Sequence, residues 1–406
     1  MRLSTDRIRV THGGNLPRPK PFDELLRQGP VVTAEVADQL PAAVQGVVDR
    51  QIECGVDVVN DGEYVKAAGG GSYVGYIHQR VTGWEVLPID PAKPRKREGV
   101  GARERRLFPG VYESGLWLAG SGGPVRPGFF APGAPPEPTT ERVCTGPVGY
   151  TGQGAIKADV DALTRALRGK DAGQAEGAEG FVAALGPLSL GAGARNEYYA
   201  SEDEYMTAVA ECVREEYKAI TDAGLIVQID EPEFATSWQF YPDWDVARYR
   251  RYLASCVEII NHALDGLPEE QVRFHVCWGS GHRPHVSDIG LAHIADLLLG
   301  INAQAYSVEA GNVRHAHEWR VWSDIKLPDG KILVPGVVSH ATDLVEHPGL
   351  IAERLVNFAS VVGKENLQAG TDCGIGSRVG HEDIVWAKLR AMSEGAAIAS
   401  KQLSGK

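Results

Sequence analysis

The chain has 406 residues, 43% of them hydrophobic and 23% charged, which is the composition of an ordinary globular protein with room for one large barrel or two medium domains. A formal net charge of -12 argues against a general role in binding nucleic acid or an anionic membrane surface. No run approaches the roughly eighteen apolar residues of a membrane span, and "MRLSTDRIRVTHGG" lacks the apolar segment and cleavage site of a signal peptide. Six cysteines in this length do not make a disulfide framework. Cys54, Cys144, Cys212 and Cys256 lie in apolar-patterned segments and are expected as core thiols, kept reduced in a cytoplasmic setting.

In chain order, short apolar strands are expected at 8–12, 57–60, 143–147, 181–185, 225–229, 273–277, 306–309, 333–338 and 367–371. Amphipathic helical patterns separate them. The segment "SEDEYMTAVAECVREEYKAITDAG" opens with Ser201 as N-cap, carries Glu204 three residues on, and ends near Gly224. "HPGLIAERLVNFASVVG" and "HEDIVWAKLRAMSEGAAIASKQL" are similar. This alternation implies a parallel sheet, and the expected architecture is a single (β/α)8 TIM barrel over 1–406. Nine strands compete for eight places, and 181–185 is the weakest of them. One region breaks the rhythm. From 90 to 141 the chain is rich in Pro, Gly and Arg and shows neither period, so a long insertion is expected before the third strand. Trp117, Phe129 and Phe130 favour a lid over the barrel mouth against a passive surface loop.

Chemistry in such barrels sits at the C-terminal ends of the strands. The residues falling there are Asp61 and Glu63 in "NDGEY", Asp230 and Glu231 in "QIDEPEF", His275 and Cys277 in "FHVCWGSGH", Glu309 in "YSVEAGN", His340 in "PGVVSH", and Asp372 and Cys373 in "TDCG". The first strand runs into "THGGNLPRP", with His12 and Asn15. His275 and Cys277 are two apart on a strand and therefore share a face. With Glu309 and Cys373 they make a plausible four-ligand zinc set, since zinc takes sulfur at about 2.3 Å and nitrogen or oxygen at about 2.0–2.2 Å in a tetrahedron. A lone buried Cys is a core filler more often than a ligand. The shared position at strand ends is what favours a metal here, and scattered ligands at a barrel mouth suit catalysis. Glu63 and Asp230 could instead be salt-bridge partners of rim arginines.

These motifs resemble the catalytic C-terminal domain of cobalamin-independent methionine synthase. That family orders its zinc ligands HxC, E, DCG, matched by "HVC", "VEAGN" and "TDCG"; its DEP, HGE and GPV motifs are matched by "IDEPEF", "NDGE" and "TGPVGY". The resemblance implies a (β/α)8 barrel holding Zn2+ through His275, Cys277, Glu309 and Cys373. It further implies Glu63 and Asp230 around the amino group of an amino-acid thiol, His12 and Asn15 in the substrate-binding first loop, and His340 as a proton donor. Three departures stand out: the synthase's large N-terminal domain has no counterpart, Asn15 replaces a serine of the family's first loop, and the 90–141 insertion is extra. "CWGSGHRPH" and "RHAHEW" look more like a short, single-barrel branch that includes epoxyalkane:coenzyme M transferases.

Either branch implies a zinc-dependent transferase that activates a small thiol as a zinc-bound thiolate and alkylates it, by methyl transfer or, alternatively, by addition to an epoxide. A zinc hydrolase on the same barrel is disfavoured, because anionic sulfur ligands weaken the acidification of water. A metal-free decarboxylase-like barrel leaves HxC and DCG without purpose. The implied partners are a small thiol and an alkyl or methyl donor; a homo-oligomer is compatible with the sequence, and neither nucleic acid nor membrane is expected.

Overall fold

A computed structural model describes residues 1–28, 32–66, 73–93, 96–99, 101–113, 139–168, 177–280, 283–376 and 378–405. Its strands are β1 (Arg9–Val10), β2 (Val58–Asn60), β3 (Val81–Pro88), β4 (Thr140–Tyr150), β5 (Glu179–Leu185), β6 (Arg195–Asn196), β7 (Ile226–Asp230), β8 (Val272–Val276), β9 (Ala305–Val308), β10 (Ile332–Val338) and β11 (Gln368–Thr371). Eight of them form a parallel sheet in the order β1-β11-β10-β9-β8-β7-β5-β2. The remaining seam is bridged where the Asp57 N–H donates to the Val10 carbonyl at 2.8 Å and the Asp57 carboxylate accepts from the Val10 N–H at 2.8 Å. Helices cover the outside, giving a nearly closed (β/α)8 barrel as expected.

The strand count keeps the weakest candidate in the barrel and places another outside it. β5, over 181–185, is the third barrel strand, paired with β2 on one side and β7 on the other. The segment at 143–147 belongs instead to β4, which pairs antiparallel with β3 and briefly with β6 in a separate three-stranded sheet. The reason is residue size. "EGFVAAL" holds small residues where the strand is buried on both faces, so it carries little β-signal of its own. A Cβ on Gly180 would lie 2.5 Å from the Leu167 side chain, so helix Gln153–Leu167 can pack close only over glycine.

Period-2 alternation divides each strand. Val227, Ile229, Phe274, Val276, Tyr306 and Val308 join the main core under the helices. Their neighbours Gln228, Asp230, Arg273, His275 and Ser307 are buried yet outside that apolar cluster, and they fill a polar barrel interior. Arg273 donates to Thr11 Oγ1 at 2.8 Å and to the His12 carbonyl at 3.3 Å, and lies 3.9 Å over the Phe181 ring. Helix Val246–Leu264 buries Tyr249, Leu253, Cys256, Ile260 and Ala263, the stripe that helical spacing demands. Helix Glu202–Asp222 starts where the Ser201 hydroxyl accepts from the Glu204 N–H at 3.1 Å, and stops before Gly224, whose φ of +77° suits glycine.

The insertion is not featureless. It contains the short helices Ala102–Leu107 and Pro109–Glu113. Arg103 lies 3.3 Å over the Trp238 ring and donates to the carbonyls of Trp238, Tyr241 and Trp244. Arg97 pairs with Glu233 at 2.7 Å, and buried Glu104 accepts from the Tyr112 hydroxyl at 3.0 Å. Arg97 and Arg103 thus clamp the insertion to helix Glu233–Phe240 and the turn after it. Trp117, Phe129 and Phe130 lie outside the described residues. No described helix is long and apolar enough to cross a membrane.

Candidate metal centre at the barrel mouth

His275 is the last inward position of β8, and Cys277 follows the strand on the same side. Cys373 follows β11 by two residues. One ring nitrogen of His275 and the two sulfurs lie within 4.8 Å of one another, the ends of β8 and β11 having been brought together only by barrel closure. His275 and Cys277 are buried, and Cys373 is half-buried. In register opposite His275 stands Ser307 on β9, whose hydroxyl meets His275 Nδ1 at 3.0 Å. The other nitrogen, Nε2, is buried without a hydrogen-bond partner. A buried imidazole fixed through one nitrogen by a serine hydroxyl, with the second bare beside two sulfurs, is the geometry of a metal ligand held in orientation by its neighbour.

Electrostatics agree. The Cys277 hydrogen bond, helped by His275 and His340, pulls the Cys373 thiol well below its ordinary value; the same hydrogen bond, together with burial, pushes Cys277 up. Burial opposes charge on His275, but the neighbouring Cys373 sulfur outweighs it and raises the imidazole. A divalent cation would let both sulfurs ionise.

Glu309 is adjacent but stands apart from that group of ligand atoms. Its carboxylate accepts from the Trp278 N–H at 2.9 Å and the Asn312 amide at 2.7 Å. Burial and the nearby Asp372 hold it well above the usual carboxylate range. Asp372 accepts from the N–H groups of Ala310 and Gly311 at 2.8 and 2.6 Å, which ties the end of β9 to that of β11.

Glu63 is buried after β2 in a left-handed conformation, φ +56°, set by its N–H donating to Asp61 at 2.9 Å. Burial raises its carboxyl well above the ordinary value; Lys66 opposes this, while Asp230, Asp61 and Cys373 add to it. Asp230 accepts from Gln228 at 2.7 Å. Glu63 thus lies near enough to Asp230 and Cys373 to feel the charge of both. His340 is buried with neither ring nitrogen hydrogen-bonded, and burial depresses its pKa to about 4 against the pull of Cys373. The first-loop residues are occupied internally. His12 meets Gln51 at 2.8 Å through Nε2 and accepts from the Gly14 N–H at 3.3 Å through Nδ1. Asn15 Oδ1 accepts from the Gly376 N–H at 2.9 Å.

Sequence reading did not single out Ser307 or Asn312. Ser307 was findable as the inward position two before Glu309. Asn312 was visible only as the last letter of "VEAGN".

Residues 184–398, more than half of the chain, match the family described as cobalamin-independent synthase, catalytic domain. A 2-hydroxypropyl-CoM lyase of Xanthobacter autotrophicus is 25% identical over 51% of this chain and 58% of its own length. A methionine synthase of Pyrococcus abyssi is 24% identical over 55% of this chain and 57% of its own. The chain thus spans a little over half the length of the curated relatives it matches. Among solved structures, a B12-independent methionine synthase from Shewanella sp. W3-18-1 in complex with selenomethionine superposes with a TM-score of 0.67 at 21% identity, covering 98% of this chain and 100% of that one. A putative vitamin-B12 independent methionine synthase from Listeria monocytogenes gives 0.61 at 18%, covering 97% and 98%. Both likenesses concern the fold.

Proposed function

This chain belongs to the cobalamin-independent synthase catalytic-domain family, and on that premise we propose that it is a zinc-dependent transferase that alkylates a small thiol, with methyl transfer as its reaction. The observation that carries the reading is the gathering of His275, Cys277 and Cys373 within 4.8 Å, with a buried histidine nitrogen left bare. Those three residues would hold the ion, with Glu309 close enough in the chain's fold to serve as a fourth, exchangeable donor. Zinc bound there would favour the deprotonated, nucleophilic form of a substrate sulfur at neutral pH.

The chain's own groups supply the rest. Ser307 fixes the His275 ring so that Nε2 faces the sulfurs. Two cysteine sulfurs concentrate negative charge beside the incoming thiol and keep it electron-rich. Glu63 and Asp230 form a buried acidic pair suited to an ammonium group on the thiol substrate. His340, neutral in the free chain, can take up the proton that the substrate thiol loses and pass it to the departing amine. The described part of the insertion is clamped to the helix that follows β7 and acts, in this reading, as a lid on a single catalytic domain.

Addition of the thiol to an epoxide is the second reading. It is favoured by the 25% identity to a 2-hydroxypropyl-CoM lyase. In that case the group protonated is an alkoxide.

Two measurements test the proposal. Elemental analysis of Cys277→Ser and Cys373→Ser should show zinc retention reduced about tenfold or more, and full retention in both sinks the metal reading. Homocysteine and coenzyme M, each offered with methylfolates and with small epoxides and followed by mass spectrometry, separate the two reactions. Absence of any alkylated thiol with the zinc-loaded chain counts against both.

A further inference from the structure

Beyond Cys277, the segments "WGS" and "RHAHEW", which the proposed chemistry leaves unused, meet around Glu309. Asn312 stands at their junction. Its Oδ1 accepts from the N–H groups of Arg314 and His315, both at 3.0 Å. That fixes which end of the amide faces which way. Its Nδ2 must then face the acids, and it donates to Glu309 at 2.7 Å and to Asp372 at 3.2 Å. The second oxygen of Glu309 is held by the Trp278 N–H at 2.9 Å. Trp278 is itself immobilised. Its indole N–H donates to the Ile289 carbonyl at 2.7 Å, and its ring stacks 4.2 Å from that of His315. His315 is in turn clamped between Glu318 at 2.8 Å and Asp288 at 3.4 Å. Both carboxylate oxygens of Glu309 therefore sit in a rigid berth that lies beside the His275, Cys277 and Cys373 group without belonging to it.

We propose that Asn312 is a positioning residue: its amide offers the Glu309 carboxylate a berth off the metal, and so sets how readily a substrate sulfur takes the fourth place. This deepens the zinc-centre reading above and rests on it. A carboxylate with two well-directed donors waiting gives up less on leaving a cation than one that must leave for nothing. Removing the amide donor should therefore make Glu309 a stronger competitor of the thiol.

Asn312→Asp is the sharpest variant. The new carboxylate can still accept from the Arg314 and His315 N–H groups, so the turn is kept, while the donor toward Glu309 is replaced by a repelling oxygen. In the zinc-loaded full chain, the dissociation constants of homocysteine and of coenzyme M should rise about tenfold in Asn312→Asp. Zinc-edge X-ray absorption without thiol should show the outer-shell carbon of a bound carboxylate more strongly than wild type, where a water can fill the fourth place. In the Glu309→Gln background, where the competitor is gone, the same change at 312 should alter thiol affinity by less than about threefold, a coupling that a merely structural role would not produce. Asn312→Ser, whose shorter hydroxyl also accepts from the turn, should act in the same direction and serves if Asn312→Asp does not fold.

Unchanged thiol affinity in both 312 variants overturns the role of Asn312. So does an equal loss with and without Glu309. In either case a wild type that holds zinc and gains a sulfur scatterer on adding thiol keeps the parent reading intact. A wild type that holds no zinc removes both.

Discussion

Glu63 shows how a single backbone setting can govern a buried carboxylate. Its left-handed conformation would cost an ordinary side chain about 1–2 kcal/mol, and it is kept by the Asp61 turn and by Gly14 opposite. Gly14 has φ +148°, and a Cβ there would stand 2.4 Å from Glu63 Oε1. Gly14→Ala must move either the first loop or the carboxylate. Kinetics of that variant should show kcat/KM for an amine-bearing thiol lowered by about one to two orders of magnitude, with KM carrying most of the change and zinc content as in wild type. A thiol without an amino group should be affected far less. Equal losses for both thiols would mean that Glu63 does not read the ammonium group.

The insertion is the element whose role turns on docking. Arg103 spends its guanidinium on three carbonyls at the end of helix Glu233–Phe240 and on the Trp238 ring. The site is partly open to solvent, so Arg103→Ala should weaken docking by only about 2 kcal/mol. That is enough to expose the segment. Limited proteolysis should cut Arg103→Ala within 90–141 faster than wild type while the barrel stays intact. Zinc should remain bound, and turnover should fall if closure shields the reaction from water. Wild-type turnover with faster cleavage would make the segment a bystander.

Stability of the whole molecule is tied to charge by the buried cluster below Trp278. Burial opposes charge on His315, but its bonds to Asp288 and Glu318, with the Glu309 charge beyond, raise its pKa from 6.5 to about 10. Burial likewise opposes the Asp288 carboxylate, yet its bonds to His285 and His315, with Arg283 nearby, lower it from 3.8 to about 2. A raised histidine stabilises the fold fully below pH 6.5 and loses this as pH rises through about 10. A depressed aspartate stabilises fully above pH 3.8 and loses this as pH falls through about 2. The cluster therefore contributes most between those two ordinary values. Melting temperatures from pH 6.5 to 10 should fall more steeply for wild type than for His315→Gln. Parallel slopes would mean that His315 is not charged in the fold.

Much of this was legible in the chain itself, because it depends on local spacing. The two-residue step from His275 to Cys277 puts both on one face of any strand, and Ser201, Glu204 and Gly224 bound their helix by local hydrogen bonding and backbone freedom. The barrel follows from alternating strands and helices, and the rim position of the reactive residues follows from the barrel. Tertiary structure decided what depends on neighbours distant in sequence. It gave the third barrel place to β5, whose small residues signal little strand preference but fit between β2 and β7, and it sent the more strand-like 143–147 to a side sheet. It brought Cys373 to within 4.8 Å of a histidine nearly a hundred residues earlier, and it turned Glu309 toward Trp278 and Asn312. Periodicity fixes the face of a strand on which a side chain lies; which atom it meets there is fixed only when the strands close against one another.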